Sequence, residues 1–220
     1  MTAALAPTAT ETMFDFAALS ATPASHDPFL HLVVPNFVRG ESVDRIDRDW
    51  PQIGKPGAFP TSSLSLKPAA QDLVAALESD AFREAISAKL DLDLSGLPTM
   101  ITFRDRCRAR DGQIHTDSKT KVVTVLLYLN KPTGGWQDQG GRLRLLRGPE
   151  SLENYTTEIS PVDGTMLAFK CTRDAWHGHA SYEGPRHVLQ MNWMIDQATK
   201  DREEGRHKMS AFLKKLNPFG

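Results

Sequence analysis

The spacing of apolar residues along the chain follows two periods, and the change falls near residue 99. Before it, the stretch PFLHLVVPNF (28–37) predicts a strand running into a turn, and ESVDRIDRDW (41–50) a short helix stopped by Pro51. The stretch 54–65 holds the turn formers Pro56, Gly57 and Pro60 and reads as a loop. Leu73, Val74 and Leu77 then share one helical face, and Phe82, Ile86 and Leu90 another, with Ser79 and Asp80 as the break and N-cap between them. Two short amphipathic helices packed on a sheet follow from this pattern. From Thr99 the period becomes two. The segments 101–110, 121–130, 140–148, 156–161, 164–170 and 187–195 all read as strands, separated by Gly, Pro, Asn and Asp. Strands at this short spacing, with no helix between them, predict an antiparallel sandwich or barrel rather than a βαβ sheet. The charged run 198–216 reads as a closing helix.

The first 27 residues are rich in Ala, Thr, Pro and Ser and show no sustained period, so they predict a poorly ordered arm, with Phe14 and Phe16 as local docking points. The folded part is expected to begin near Pro28. It divides into a helical support (28–98), a β core (99–195) and a C-terminal helix (196–220), all within one domain.

Composition narrows the function classes. The chain has 220 residues, 26 Lys plus Arg against 27 Asp plus Glu, and a formal net charge of −1. This balance argues against nucleic acid or an anionic membrane as the main partner. Cys107 and Cys171 stand far apart, which excludes a disulfide scaffold and a thiolate zinc site. No stretch approaches the roughly 18 apolar residues that span a bilayer. The first basic residue is Arg39, so the start of the chain lacks the charged region of a signal peptide. A cytoplasmic enzyme or binding protein is the expectation.

Candidate chemistry sits in the β region. His115-Thr116-Asp117 follows the turn Asp111-Gly112 and precedes the strand that starts at Lys121. Residues two apart in extended chain point to the same side. His177 follows 60 residues after Asp117. Two imidazoles and one carboxylate are the ligand set of a facial triad, which holds Fe(II) and leaves positions open. Alone, His-x-Asp is a weak signal, since a surface turn carries such a pair by chance. Arg186 lies nine residues past His177, where a guanidinium can pair fork-to-fork with the far carboxylate of an α-keto diacid.

Taken in order, His115-x-Asp117, Tyr128-Leu129-Asn130, Gly140-Gly141-x-Leu143, Pro161-x-x-Gly164-x-x-x-x-Phe169, Trp176-His177-Gly178 and Arg186 resemble the Fe(II)/2-oxoglutarate-dependent dioxygenases, in the bacterial branch similar to prolyl 4-hydroxylase. The resemblance runs over roughly residues 100–195, with the opening strand and the helices near 68–90 also similar to bacterial members. It implies a mainly β fold, the double-stranded β-helix or jelly roll, with helices packed on one sheet. It implies Fe(II) on His115, Asp117 and His177, and 2-oxoglutarate chelating the iron with its far carboxylate on Arg186. O₂ is the oxidant, ascorbate a possible stimulant, and hydroxylation of an unactivated C–H with release of succinate and CO₂ the default outcome.

The sequence departs from the family where many members carry Ser or Thr two residues after the Arg; here the residue is Val188. Strand parity supplies candidates for the missing hydroxyl. Thr124, Leu126 and Tyr128 share one face, as do Arg186, Val188, Gln190 and Asn192 on the later strand. Val123, Val125, Leu127 and Leu129, with Leu189, Met191 and Trp193, suit a helix-covered core. Thr124 or Tyr128 is thus a candidate donor to the co-substrate, against the alternative of ordinary cross-strand packing.

Further residues have two readings each. His179 competes with His177 as the distal ligand, and is otherwise pocket-lining; His187 points away from the pocket and is structural. Arg104, Arg106, Arg108 and Arg110 alternate on one strand face, either a solvated face or, for one or two of them, a mouth that attracts an anionic substrate. The loop 131–139 carries Trp136 and suits a lid, and Gly140-Gly141 a bulge or close backbone approach. A cupin-type metal enzyme without a keto acid and a non-catalytic binding module are the rival readings. The substrate, whether peptidyl or a small molecule, lies in the loops near 52–66, 131–139 and 149–156, which carry no readable code.

Overall fold

The computed structural model describes residues 13–131, 136–138 and 140–216. Its helices are α1 (Phe16–Ala21), α2 (Gly40–Arg48), α3 (Pro68–Leu77), α4 (Asp80–Leu90) and α5 (Gln197–Leu216). Its strands are β1 (His31–Val34), β2 (Phe59–Pro60), β3 (Thr99–Cys107), β4 (Lys121–Tyr128), β5 (Leu143–Leu146), β6 (Tyr155–Ile159), β7 (Thr165–Lys170), β8 (His177–Gly178) and β9 (Gly184–Met194). Two antiparallel sheets form: β1-β7-β4-β9-β3-β2 and the smaller β6-β5-β8.

The period-two pattern decides which face of the large sheet meets what. Val123, Val125, Leu127, Leu189, Met191 and Trp193 pack with Leu73, Leu77, Phe82, Ile86 and Leu90 of the helices. The opposite parity, Tyr128, Val188, Leu167 and Phe169, packs with Leu143, Leu145 and Ile159 of the small sheet. A one-residue slip would exchange these two cores, so the register is strongly specified. Helix α4 begins where Ser79 accepts the Phe82 N–H at 3.2 Å and ends at Asp91 in the left-handed conformation. The result is a jelly roll with helices against one sheet and a cleft between the sheets.

Three expectations need correction. Residues 13–27 are not a loose arm: Phe14 is fully buried, stacks on Phe37 with ring centroids 4.7 Å apart and packs against Phe82. Asp15 caps α1 by accepting the Ala18 N–H at 2.9 Å. The apolar contacts of Met13, Phe14 and Leu19 outweigh the polar composition that suggested disorder. Residues 1–12 lie outside the described residues, as do 217–220. The loop 54–65 contains β2 and a 3-10 turn at Thr61–Ser63, because Phe59 and Pro60 pair with Phe103 and Thr102 at the edge of the sheet. Strand β3 shifts register between Arg104 and Arg106 and ends at Cys107. Arg108 and Arg110 therefore leave the strand, and Arg108 turns back onto Asp111 at 3.1 Å. Strand β8 is two residues long, too short for any periodicity to reveal.

Candidate active site

The cleft lies between the two sheets and opens to solvent. His115 and Asp117 reach it from the connection into β4, and His177 from β8. One ligand atom from each of the three lies within 4.8 Å of the others. Sequence-distant stretches are joined here by backbone: the His115 N–H donates to the His177 carbonyl and the His177 N–H to the His115 carbonyl, each at 3.0 Å. Both imidazoles carry their Nδ1 proton on a carbonyl two residues earlier, His115 on Gln113 at 2.8 Å and His177 on Ala175 at 2.9 Å. That fixes the tautomer with a free Nε2 lone pair, the form that binds a metal.

Asp117 is held from two sides. Lys121 Nζ donates to Oδ1 at 2.8 Å, and the Thr124 hydroxyl donates to Oδ2. Burial alone would raise its pKa; the ammonium of Lys121, the neighbouring His177 and these hydrogen bonds reverse that and hold the carboxyl down to about 2. Burial, helped by the nearby His115, lowers His177 to about 4. At neutral pH His177 is therefore a neutral imidazole and Asp117 a carboxylate, both in donor form.

Deeper in the cleft Arg186 is buried, at 6% exposure. Its Nε donates to the Gly141 carbonyl at 2.9 Å, and its guanidinium carbon sits 5.4 Å from the centre of the Tyr128 ring. The Tyr128 hydroxyl is buried and has no hydrogen-bond partner among the described residues. Burial, only partly opposed by Arg186, pushes this phenol up to about 12, so it stays a donor. A buried orphan hydroxyl beside a guanidinium costs free energy unless a ligand accepts from it. This is the chemistry a dianionic keto acid fits.

The sequence expectations sort as follows. Thr124, expected as a co-substrate donor, is committed elsewhere: its proton goes to Asp117 while its oxygen accepts from Asn192 Nδ2 at 2.7 Å. Tyr128 is the hydroxyl still available. His179 lines the cleft, with Nδ1 on the Ala180 carbonyl at 2.9 Å, and is outside the three-residue cluster. His187 is on the far face, stacked on Trp50 at 4.7 Å and 3.1 Å from Asp105. Arg104 and Arg106 line the cleft. Trp136 packs on Tyr182 with centroids 4.8 Å apart and donates to the Gly140 carbonyl at 2.9 Å; residues 132–135 and 139 of that loop lie outside the described residues. Lys121 and Asn192 were not foreseen as site residues. The i, i+4 step from Asp117 to Lys121 is the one signal that pointed to the former.

Residues 105–194 match the model of the 2OG-Fe(II) oxygenase superfamily. No curated protein matches. Among solved structures, a Pseudomonas putida prolyl 4-hydroxylase is similar at 21% identity and a TM-score of 0.52, covering 88% of this chain and 97% of that one. A viral collagen prolyl hydroxylase from Paramecium Bursaria Chlorella virus-1 is similar at 14% and 0.53, over 76% and 96% of the two chains. A prolyl 4-hydroxylase from Phytophthora capsici is similar at 14% and 0.53, over 92% and 74%. These neighbours share the fold. No helix among the described residues is long and apolar enough to cross a membrane. Residues 105–194, which carry His115, Asp117, His177, Tyr128 and Arg186, are thus the stretch of this chain that is similar to the 2OG-Fe(II) oxygenase superfamily.

Proposed function

We propose that the protein hydroxylates an unactivated C–H of a small-molecule or peptidyl substrate and releases succinate and CO₂. In this reading His115, Asp117 and His177 hold the Fe(II), and Arg186 with the Tyr128 hydroxyl holds the far carboxylate of 2-oxoglutarate. The observation that carries it is the pairing of three donors within 4.8 Å of one another with a buried guanidinium and an orphan phenol in the same cleft. A cupin-type enzyme without a keto acid has no use for the second pair.

When bound, iron and 2-oxoglutarate supply the oxidising power for the C–H bond. The chain's own residues do the rest. Gln113 and Ala175 carbonyls orient the imidazoles, while Lys121 and Thr124 keep Asp117 ionised and aimed. Val188 and Leu126 give the cavity apolar walls, which limit water around the reacting centre. Residues 28–98 act as helical support to a single oxygenase unit. Free Cys107 and Cys171 suit a reducing, cytoplasmic setting, and ascorbate is expected to sustain turnover by keeping iron ferrous.

The test is conversion of 2-oxoglutarate to succinate by purified protein with Fe(II), O₂ and ascorbate. Turnover that needs both iron and Asp117 is expected. Production that persists in Asp117→Ala, or none in the wild type, would overturn the reading.

A further inference from the structure

Among the described residues, Arg104 is the cleft cation that the proposed reaction leaves without an ion pair. It stands opposite Val188 on β9, which stands opposite Tyr128 on β4, so it shares a row of the sheet's inner face with the orphan phenol. Arg186, two residues before Val188, lies on the same face, and the two guanidiniums repel. Burial and then this like charge push Arg104 below its usual proton affinity, and the carboxylates of Asp117 and Asp111, neither of them bonded to it, oppose this only in part. Among the described residues no hydrogen bond or ion pair holds it.

The other charges of the cleft are matched. Lys121 pairs with Asp117 at 2.8 Å and Arg108 with Asp111 at 3.1 Å. Arg186 is taken by the far carboxylate in the reading above, with the Tyr128 hydroxyl as an additional donor. Arg106, exposed at the same wall, adds a second unpaired cation toward solvent. A desolvated guanidinium next to another is unfavourable in the empty cleft, and the cost is relieved when a ligand brings an anion.

We infer that Arg104 is the specificity-determining residue of this site and receives a carboxylate of the primary substrate, with Arg106 attracting that anion at the mouth. The substrate class is therefore an organic acid: a free amino acid through its α-carboxylate, or a peptide through an acidic side chain. This rests on the assignment of Arg186 to 2-oxoglutarate. Because that carboxylate already has a bidentate partner and a phenol, Arg104 is free to select the second acid.

The experiment uses wild type, Arg104→Met and Arg104→Lys, all Fe(II)-loaded and checked for equal melting. The probes are the free L-amino acids and short acidic peptides, each beside its carboxamide counterpart. The readouts are stimulated succinate release and, separately, anaerobic equilibrium dialysis against labelled 2-oxoglutarate. Acids should stimulate the wild type at least tenfold more than their amides, with the amino-acid and peptide arms telling the two sources apart. Arg104→Met should lower kcat/KM for the acid at least tenfold, to the level of the amide, and Arg104→Lys should recover part of it. The Kd for 2-oxoglutarate should move less than threefold. Amides as effective as acids, a preference that survives in Arg104→Met, no stimulation by any carboxylate, or a tenfold loss of 2-oxoglutarate affinity would each overturn the assignment. Absence of iron-dependent 2-oxoglutarate binding in the wild type would instead bring down the oxygenase reading beneath it.

Discussion

His115 and His177 exchange both of their backbone hydrogen bonds, and this places their imidazoles side by side with centroids 4.4 Å apart. Directly opposed residues in an antiparallel pair project to the same side, so a bridge of one residue from each stretch is sufficient. Each ring is then locked by the same device, an Nδ1–H donated to a carbonyl two residues earlier in its own stretch. The two nitrogen donors are oriented by backbone alone, before any ion arrives.

His115 is the exposed member of the trio, so its removal should cost binding rather than fold. His115→Ala is expected to lower Fe(II) affinity at least about 100-fold, with the melting temperature of the metal-free protein within a few degrees of wild type. Competition against a chelator of known affinity and a thermal melt read the two quantities. Retained affinity would remove His115 from the proposed ligand set.

Tyr128→Phe should separate stability from binding. The hydroxyl is buried without a partner, so deleting it relieves a cost of about 1–3 kcal/mol and the metal-free variant should melt at or above wild type. The same deletion removes a donor to the co-substrate, and the Kd for 2-oxoglutarate should rise about tenfold, or roughly 1.4 kcal/mol. A variant that melts lower and binds 2-oxoglutarate unchanged would reverse both parts.

Arg186→Ala takes one partner from a charge-assisted pair in a desolvated pocket, a loss of about 2–5 kcal/mol. Affinity for 2-oxoglutarate should fall from roughly 30-fold to several thousand-fold. Titration of the metal site should move little, since Arg186 touches Gly141 and Tyr128 rather than the cluster. An unchanged KM for 2-oxoglutarate would put its far carboxylate elsewhere.

The two cores and the site were legible to different degrees. Parity along β4 and β9 placed Val123, Val125, Leu189 and Met191 under the helices and Tyr128 and Val188 in the cleft, because period two leaves no third choice. Composition misleads for residues 13–27 because Phe14 finds its partners in Phe37 and Phe82 and Leu19 is buried in the same core, contacts distant in sequence that no local composition reports. Thr124 lies on the cleft face that parity gives it, and its hydroxyl donates to Asp117. Parity gives the side of the sheet, and it does not say that Asp117 returns to within hydrogen-bonding reach of that hydroxyl. Arg108 was lost to the arginine stripe for a similar reason, since the strand's end at Cys107 is set by its pairing with Gly184 rather than by its own residues.

His31 gives the fold a sensitivity to acid that lies outside the candidate site. It is buried on β1, donates Nδ1–H to the Phe29 carbonyl at 2.8 Å and meets the Phe29 ring edge-on. Burial lowers its pKa, with the Phe29 carbonyl and Asp27 only partly opposing. The unfolded chain therefore takes up a proton below about pH 6.5 that the folded protein refuses, and stability falls as pH drops through that value. Urea midpoints of metal-free protein from about pH 7.5 down to about 5.5 should fall less steeply in His31→Gln than in wild type. Equal slopes would mean the folded ring accepts the proton.

Gly112 ties the turn before His115 to the floor of the cleft. Its φ of +85° lies in the region that glycine tolerates and L side chains rarely adopt. A methyl group there would also run into the imidazole of His179, and the backbone N–H of the same residue donates to the Gly112 carbonyl at 2.9 Å. Gly112→Ala thus meets two penalties: about 1–2 kcal/mol of backbone strain and the displacement of a buried ring. A loss of at least about 4 °C in melting temperature is expected for a chain of this size. Because the same turn delivers His115, Fe(II) affinity should fall with it although no proposed ligand is altered. Gly205→Ala is the matched control. That glycine lies within α5 with nothing near its Cβ position, so the substitution should raise stability by about 0.5–1 kcal/mol and leave metal affinity alone. If Gly112→Ala behaved like Gly205→Ala, the turn would be compliant, and the placement of His115 would depend on its bridge to His177 alone.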